Sequence, residues 1–159
     1  MALSRVALWL ALIVPSALLG GALISEYIFG LYPCEMCMWQ RWPHLAAIIF
    51  ALAAIFMRHH KLSKFLILDA ALAILISGLI GGFHAGVEYG WWEGLTSCAT
   101  TLPAGGDMLD SIMNAPLVRC DVAPWSLFGI SLAGFNFLLS VGGAILILVG
   151  MVMGRKDPA

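Results

Sequence analysis

Tyr32–His44, YPCEMCMWQRWPH, joins two long apolar runs, and its reading decides how the rest of the chain is laid out. Two cysteines three apart, with an arginine four residues after the second, stand where a chain this apolar enters a membrane. Of its 159 residues, 62% are hydrophobic and 11% charged, against about 45–50% and about 25% in soluble domains. This is the composition of an integral membrane protein, and the length suits a single domain over residues 1–159. The net charge of −1 says little about partners, because the position of each charge matters more; no nucleic-acid partner is expected.

Outward from that stretch, four apolar segments run from about Val6 to Phe29, Trp42 to Met57, Phe65 to Phe83 and Leu127 to Met153. Crossing a hydrocarbon core of roughly 30 Å takes about 20 helical residues. The second segment spans only if its helix begins earlier, around Cys34 to Trp39, which gives expected spans of about 6–29, 38–57, 65–83 and 127–153. No segment alternates as a barrel strand does, and lipid demands internal satisfaction of every backbone polar group, so the expected fold is an all-α four-helix up-and-down bundle. The run from Val6 to Phe29 exceeds a signal-peptide core of about 7–15 residues and no clear A-x-A site closes it, so it is read as a retained span.

Charge supplies the orientation. Six of the eight Lys and Arg fall at three points: Arg5; Arg58, Lys61 and Lys64; Arg155 and Lys156. The positive-inside rule puts these in the cytoplasm, giving N-in, C-in topology with outward loops at about 30–37 and 85–124. The other side keeps Arg41 and Arg119 with seven acids, and all three Tyr and five of six Trp flank the outer ends of the spans, where amphipathic rings prefer to lie. His59 and His60, in RHHK, belong to the cytoplasmic group, and Asp69 snorkels toward that face.

All four cysteines fall on the outer side: Cys34 and Cys37 in the first loop, Cys98 and Cys120 in the second. An even number on the oxidising side of a membrane points to disulfide chemistry. A C-x-x-C bridge closes too small a loop to stabilise much by chain entropy, and such pairs more often perform thiol–disulfide exchange. Structural bridging and metal binding are the alternatives; the 98-to-120 spacing is wide for zinc, and no metal ligand is assigned. Pro33 suits a helix start, which puts Cys34 and Cys37 in a first turn where free N–H groups favour a thiolate. Arg41 then lies one turn below Cys37, either as an interfacial anchor or as a cation that stabilises an anion at the membrane boundary. A lipophilic redox acceptor such as a quinone fits that depth. His44 is a candidate to face it, with packing as the simpler account, and His84 and Glu88 are weaker candidates for the ring pocket.

PCEMCMWQR (Pro33–Arg41) opening the second run, and APLVRCDVAPWSLFGISLAGFN (Ala115–Asn136) leading into the fourth, resemble the DsbB family of bacterial inner-membrane disulfide-forming proteins over essentially the whole chain. The resemblance implies reoxidation of the periplasmic dithiol oxidase DsbA, with electrons passed to ubiquinone or menaquinone. It implies that Cys98 is attacked by the DsbA thiolate, that Cys120 then attacks Cys34, and that Cys37 is released next to the quinone with Arg41 steadying it. DsbA is a strong oxidant at about −120 mV, so its electron acceptor has to be more oxidising still.

In the second outer loop, DMLDSIMNAPLV (Asp107–Val118) puts Met108, Leu109, Ile112 and Met113 on one face, an expected short amphipathic helix on the outer leaflet. LPAGG before it supplies turn residues. Gly78, Gly81, Gly82, Gly129, Gly134, Gly142 and Gly143 are read as close helix packing. Two other classes compete with the redox reading: a disulfide-stapled four-span scaffold without turnover, and a quinone-type reductase running the relay in reverse.

Overall fold

The structure is a computed structural model that describes residues 2–95, 99–100 and 117–154. Cys98 and residues 107–116 of the expected amphipathic helix at Asp107–Val118 lie outside the described residues, and its last two residues, Leu117–Val118, are strand. Four helices carry the fold: α1 (Ala2–Tyr27), α2 (Glu35–Phe56), α3 (Leu62–Glu88) and α4 (Leu132–Met153). Each packs on its neighbours in the chain, α4 closes back on α1, and α1 meets α3 only lightly, so the four form a ring.

The packing follows from where small side chains recur. On α2 the buried positions are Met36, Gln40, His44, Ala47, Ala51 and Ala54, a stripe at three- and four-residue steps. Its N-terminal half buries sulfur and polar groups, and its C-terminal half buries alanine. The alanines meet Ala7 and Ala11 of α1, Ala70, Ala71 and Ile74 of α3, and Ala144 and Ile147 of α4 in one core. Ile49, Phe56, Leu79 and Leu146 instead face outward. Small residues inside and large apolar ones outside are the arrangement of helices packed in lipid, where close backbone approach replaces the hydrophobic drive.

Gly78, Gly81, Gly82 and Gly143 bear out the close-packing reading. A Cβ at Gly78 would stand 2.9 Å from Ser140 Cβ, one at Gly82 2.7 Å from the Phe137 ring, and one at Gly143 2.9 Å from Val14. Gly142 does not, since nothing lies within 4 Å of its missing Cβ.

Among the described residues, three helices, α1 from Arg5, α3 and α4, are long and apolar enough to cross a membrane. The 22 residues of α2 have the length, but Gln40, Arg41, Pro43 and His44 lower its hydropathy.

Two helix ends differ most from the expected spans. α3 runs on to Glu88, five residues past the expected end of its span. α4 starts at Leu132, because the expected opening at 127 is a hairpin: β3 (Ser126–Leu127) pairs antiparallel with β4 (Ile130–Ser131). Phe128 at φ 52° and Gly129 at φ 78° form its turn, the positive-φ pair that two-residue hairpins require. Gly129 is thus a turn residue and not a packing one. Ser131 then caps α4, its Oγ accepting the Gly134 N–H at 3.1 Å. A second short ladder, β1 (Ala99–Thr100) with β2 (Leu117–Val118), pairs two stretches of the segment between α3 and α4.

Candidate functional site

The sulfurs gather where α2 begins, α3 ends and the segment before α4 returns. Cys34 is the N-cap of α2: its backbone is extended, and its Sγ accepts the Cys37 N–H at 3.3 Å. The expectation that both cysteines open this helix therefore resolves into a cap and a first-turn position, just ahead of the span expected from residue 38. The cap folds the Cys37 side chain back over Cys34, and the two Sγ atoms lie 3.0 Å apart, with Cys34 S–H donating to Cys37. That donation, together with burial, pushes the Cys34 thiol well above its ordinary range and leaves Cys37 the more readily ionised of the two.

Cys34 and Cys120 are both buried, in a small cluster with Met36 and Val87. Cys34, Cys120 and His84 each bring a donor atom within 4.8 Å of the others. His84 Nε2 stands 3.5 Å from Cys34 Sγ and 3.7 Å from Glu88 Oε1. Two sulfurs and an imidazole nitrogen are a donor set that zinc accepts. Gln40 works against such use: its Nε2 donates to His84 Nδ1 at 2.9 Å, which leaves the ring proton on Nε2, the nitrogen facing the sulfurs.

Below the sulfurs a polar network crosses the bundle. Gln40 Nε2 also donates to Met36 O at 3.1 Å, while its Oε1 accepts Asn136 Nδ2 at 2.8 Å. Asn136 Nδ2 reaches Ser77 O at 3.2 Å, and its Oδ1 accepts from His44 Nε2 at 2.9 Å and Ser140 Oγ at 2.8 Å. Ser77 Oγ donates to Gln40 O at 2.8 Å. His44 is thus packed into the network, and it also lines the cavity described next.

Arg41 reaches across to α1. Nη1 donates to Glu26 Oε2, and Nη2 donates to Ala22 O at 3.2 Å. The guanidinium is mostly shielded and ion-paired, so it does not snorkel to the surface as a bare anchor. Near Cys120, exposed Arg119 Nε donates to Asp121 Oδ1 at 2.8 Å, and this contact holds the Asp121 carboxyl below the usual carboxylate range.

A cavity of about 230 Å³ opens between the helices beside Cys37. Gln40, Arg41, His44, His84, Glu88 and Asn136 line it, together with apolar groups such as Leu18, Ala22 and Phe135. Among the described residues, the buried side-chain polar atoms without a hydrogen-bond partner are Arg41 Nε, His44 Nδ1 and Glu88 Oε2. All three belong to residues of this cavity.

The structure therefore brings Cys34, Cys37, Cys120, Arg41 and His44 to one end of the bundle, with His84 and Glu88 among them; Cys98 is outside the described residues. The sequence reading missed Glu26 as the partner of Arg41, and Gln40, Ser77 and Asn136 as a network. The available signal was the placement of each polar residue inside an otherwise apolar run.

A family profile described as Disulfide bond formation protein DsbB matches residues 4–150. Disulfide bond formation protein B of Polaromonas sp. is 31% identical over 151 residues, covering 86% of this chain and 82% of that protein. Its namesake from Chromohalobacter salexigens is 31% identical over 139 residues, covering 86% and 73%. An uncharacterized protein of Rickettsia prowazekii is 29% identical over 140 residues, covering 85% and 79%. No solved structure matches. With its profile match covering nearly the full length, the chain belongs to the DsbB family of disulfide bond formation proteins.

Proposed function

We propose that this protein is a membrane thiol:quinone oxidoreductase of the bacterial inner membrane. On this reading it is a single four-span domain, N-in and C-in, with its cysteines facing the periplasm. It reoxidises a DsbA-like thioredoxin-fold oxidase and passes the electrons to ubiquinone or menaquinone.

The observation that carries the reading is that one mostly apolar cavity is lined by Cys37 and by three residues, Arg41, His44 and Glu88, that each carry a buried, unpartnered polar atom. Arg41 Nε is a donor, Glu88 Oε2 belongs to a carboxyl group, and His44 Nδ1 is an acceptor because Nε2 donates to Asn136. A quinone ring, whose oxygens are acceptors when oxidised and donors when reduced, suits such a set. The residues present fit that group: Arg41 to hold an oxygen, His44 and Glu88 to receive hydroxyl hydrogens, and Leu18, Ala22 and Phe135 to cover the ring. When bound, a quinone supplies a two-electron, two-proton acceptor.

The protein's own residues carry the electrons to that cavity. The DsbA thiolate attacks Cys98, forming a mixed disulfide as the Cys98–Cys120 bond breaks and Cys120 leaves as a thiolate; the second DsbA thiolate later displaces Cys98 and closes the DsbA disulfide. Cys120 attacks Cys34, forming a Cys34–Cys120 bond while the Cys34–Cys37 bond breaks, and the electron pair stays on Cys37. Burial of Cys34 beside Cys120 supports the second exchange, and the position of Cys37 on the cavity wall supports it as the sulfur facing the acceptor.

The test is to mix purified protein with reduced DsbA and quinone, following DsbA thiols and quinone absorbance together. One quinone reduced per two thiols lost, abolished by Cys37→Ser, is the expected result. Thiol loss that ignores quinone overturns the reading. So does labelling of Cys34 and Cys37 by an impermeant maleimide from the cytoplasmic side alone.

A further inference from the structure

We propose that His84 is a further catalytic residue: a neutral imidazole whose Nε2–H is held toward the sulfurs by Gln40 and Asn136, and steadies the sulfur that leaves when the Cys34–Cys37 bond opens. This rests on the thiol relay above and names a residue in it to which no role has been assigned.

The argument runs along a chain of hydrogen bonds with one consistent direction. Ser77 O can only accept, so the Asn136 atom 3.2 Å from it is the amide nitrogen. That same Nδ2 donates to Gln40 Oε1 at 2.8 Å. The Gln40 amide nitrogen is thereby turned toward Met36 O, another pure acceptor, at 3.1 Å, and toward His84 Nδ1 at 2.9 Å. Reversing either amide would set oxygen against carbonyl oxygen. Nδ1 accepts, so the proton of the neutral ring is on Nε2. Nε2 lies 3.5 Å from Cys34 Sγ and close to Cys120; Cys37 Sγ is 3.0 Å beyond Cys34 Sγ, and Cys37 and His84 line the same cavity. The titratable groups facing the ring are those three sulfurs and Glu88.

A neutral donor at this place has a specific use. When Cys120 attacks Cys34, one sulfur–sulfur bond forms, another breaks, and the electron pair departs on Cys37. The Nε2–H can hydrogen-bond that thiolate without protonating it, so the sulfur stays an electron donor. An imidazolium would instead hold the thiolate as an ion pair. Gln40 opposes the imidazolium, because a second ring proton on Nδ1 would point at the amide hydrogens.

Nitrogen-15 NMR of reduced protein in detergent reads the tautomer with no quinone or partner present. The expected wild-type state is neutral and Nε2-protonated. Asn136→Asp offers only acceptors, so the Gln40 amide turns over, presents Oε1 to His84 and moves the proton to Nδ1. Release of the Cys37 thiol in the Cys120-to-Cys34 step should then slow about 10- to 100-fold, the worth of a hydrogen bond to a charged group. Gln40→Met, which adds no charge, should give mixed tautomers and an intermediate rate. His84→Gln, which can still offer an N–H, should retain more of the rate than His84→Ala. An Nδ1-protonated or imidazolium wild type overturns the proposal and leaves the relay standing, as does an unchanged exchange rate in His84→Ala. A wild type that performs no exchange overturns both.

Discussion

Gly81→Ala isolates the packing that holds the polar network. A methyl group there would lie 2.9 Å from Asn136 Nδ2, 3.0 Å from Ala133 O and 3.1 Å from Gln40 Oε1. Ala133 O is backbone at the start of α4 and cannot retreat cheaply, so Asn136 and Gln40 must part. Overpacking of this kind costs about 1–3 kcal/mol. A buried amide left without its partner costs about 1–3 kcal/mol more. The helical preference for alanine over glycine returns about 1 kcal/mol, leaving about 3 kcal/mol of net destabilisation. For a chain of this length that is a fall of about 6–12 °C in Tm. Gly142→Ala is the matched control, because nothing lies within 4 Å of its missing Cβ. It should gain about 1 kcal/mol or remain unchanged. Thermal unfolding of both variants in the same detergent, with turnover measured alongside, checks the reasoning. If Gly81→Ala unfolds within about 2 °C of Gly142→Ala, the close contact between α3 and α4 is not what holds the network.

The Arg41–Glu26 pair is mostly shielded, so Glu26→Ala should cost roughly 3 kcal/mol by stranding the guanidinium. The double variant Glu26→Leu with Arg41→Leu should unfold at a higher temperature than either single change, and a double variant that is the least stable of the three contradicts this. Cys34 is held protonated by its donation to Cys37 and by burial. In the reduced protein at neutral pH, an alkylating agent followed by peptide mass mapping should therefore find Cys37 first, the preference shrinking as pH rises and Cys34 ionises too. Phe128→Gly should raise the Tm by about 2–4 °C, since it relieves a left-handed non-glycine residue costing about 1 kcal/mol at an exposed turn. Gly129→Ala in the same turn should lower it.

The sequence was informative where one residue's chemistry sufficed and silent where two distant residues had to meet. The Cys34/Cys37 pair, the cation one turn below and the apolar runs were readable because composition and local spacing define them. The hairpin Ser126–Ser131 was hidden by its own Leu127, Phe128 and Ile130, which extend the apolar run and imitate the first turn of a span. Its signals were Gly129 and the capping Ser131, both more local than a hydropathy window resolves. Glu26 lies fifteen residues before Arg41, and only the rotation of α1 against α2 brings them together. Gln40, Ser77 and Asn136 are single polar residues on three helices, and no spacing rule links them until those helices pack.

That dependence also explains why α2 is the least apolar of the four helices. Its stripe begins with Met36, Gln40 and His44 and continues with Ala47, Ala51 and Ala54. Alone in hydrocarbon, the polar half would leave an amide, an imidazole and a guanidinium without partners, each unsatisfied group costing several kcal/mol. Glu26 and Ala22 on α1, Ser77 and His84 on α3, and Asn136 on α4 supply those partners. The helix that carries the C-x-x-C pair is therefore satisfied only inside the assembled bundle. The three atoms left over, Arg41 Nε, His44 Nδ1 and Glu88 Oε2, belong to residues of the cavity next to Cys37. Assembly satisfies the polar groups that hold the helices together and leaves unsatisfied those beside the sulfur. A substitution in the network should consequently move stability and electron transfer together, and so should one at Arg41 or His44, whose other atoms tie the helices to one another.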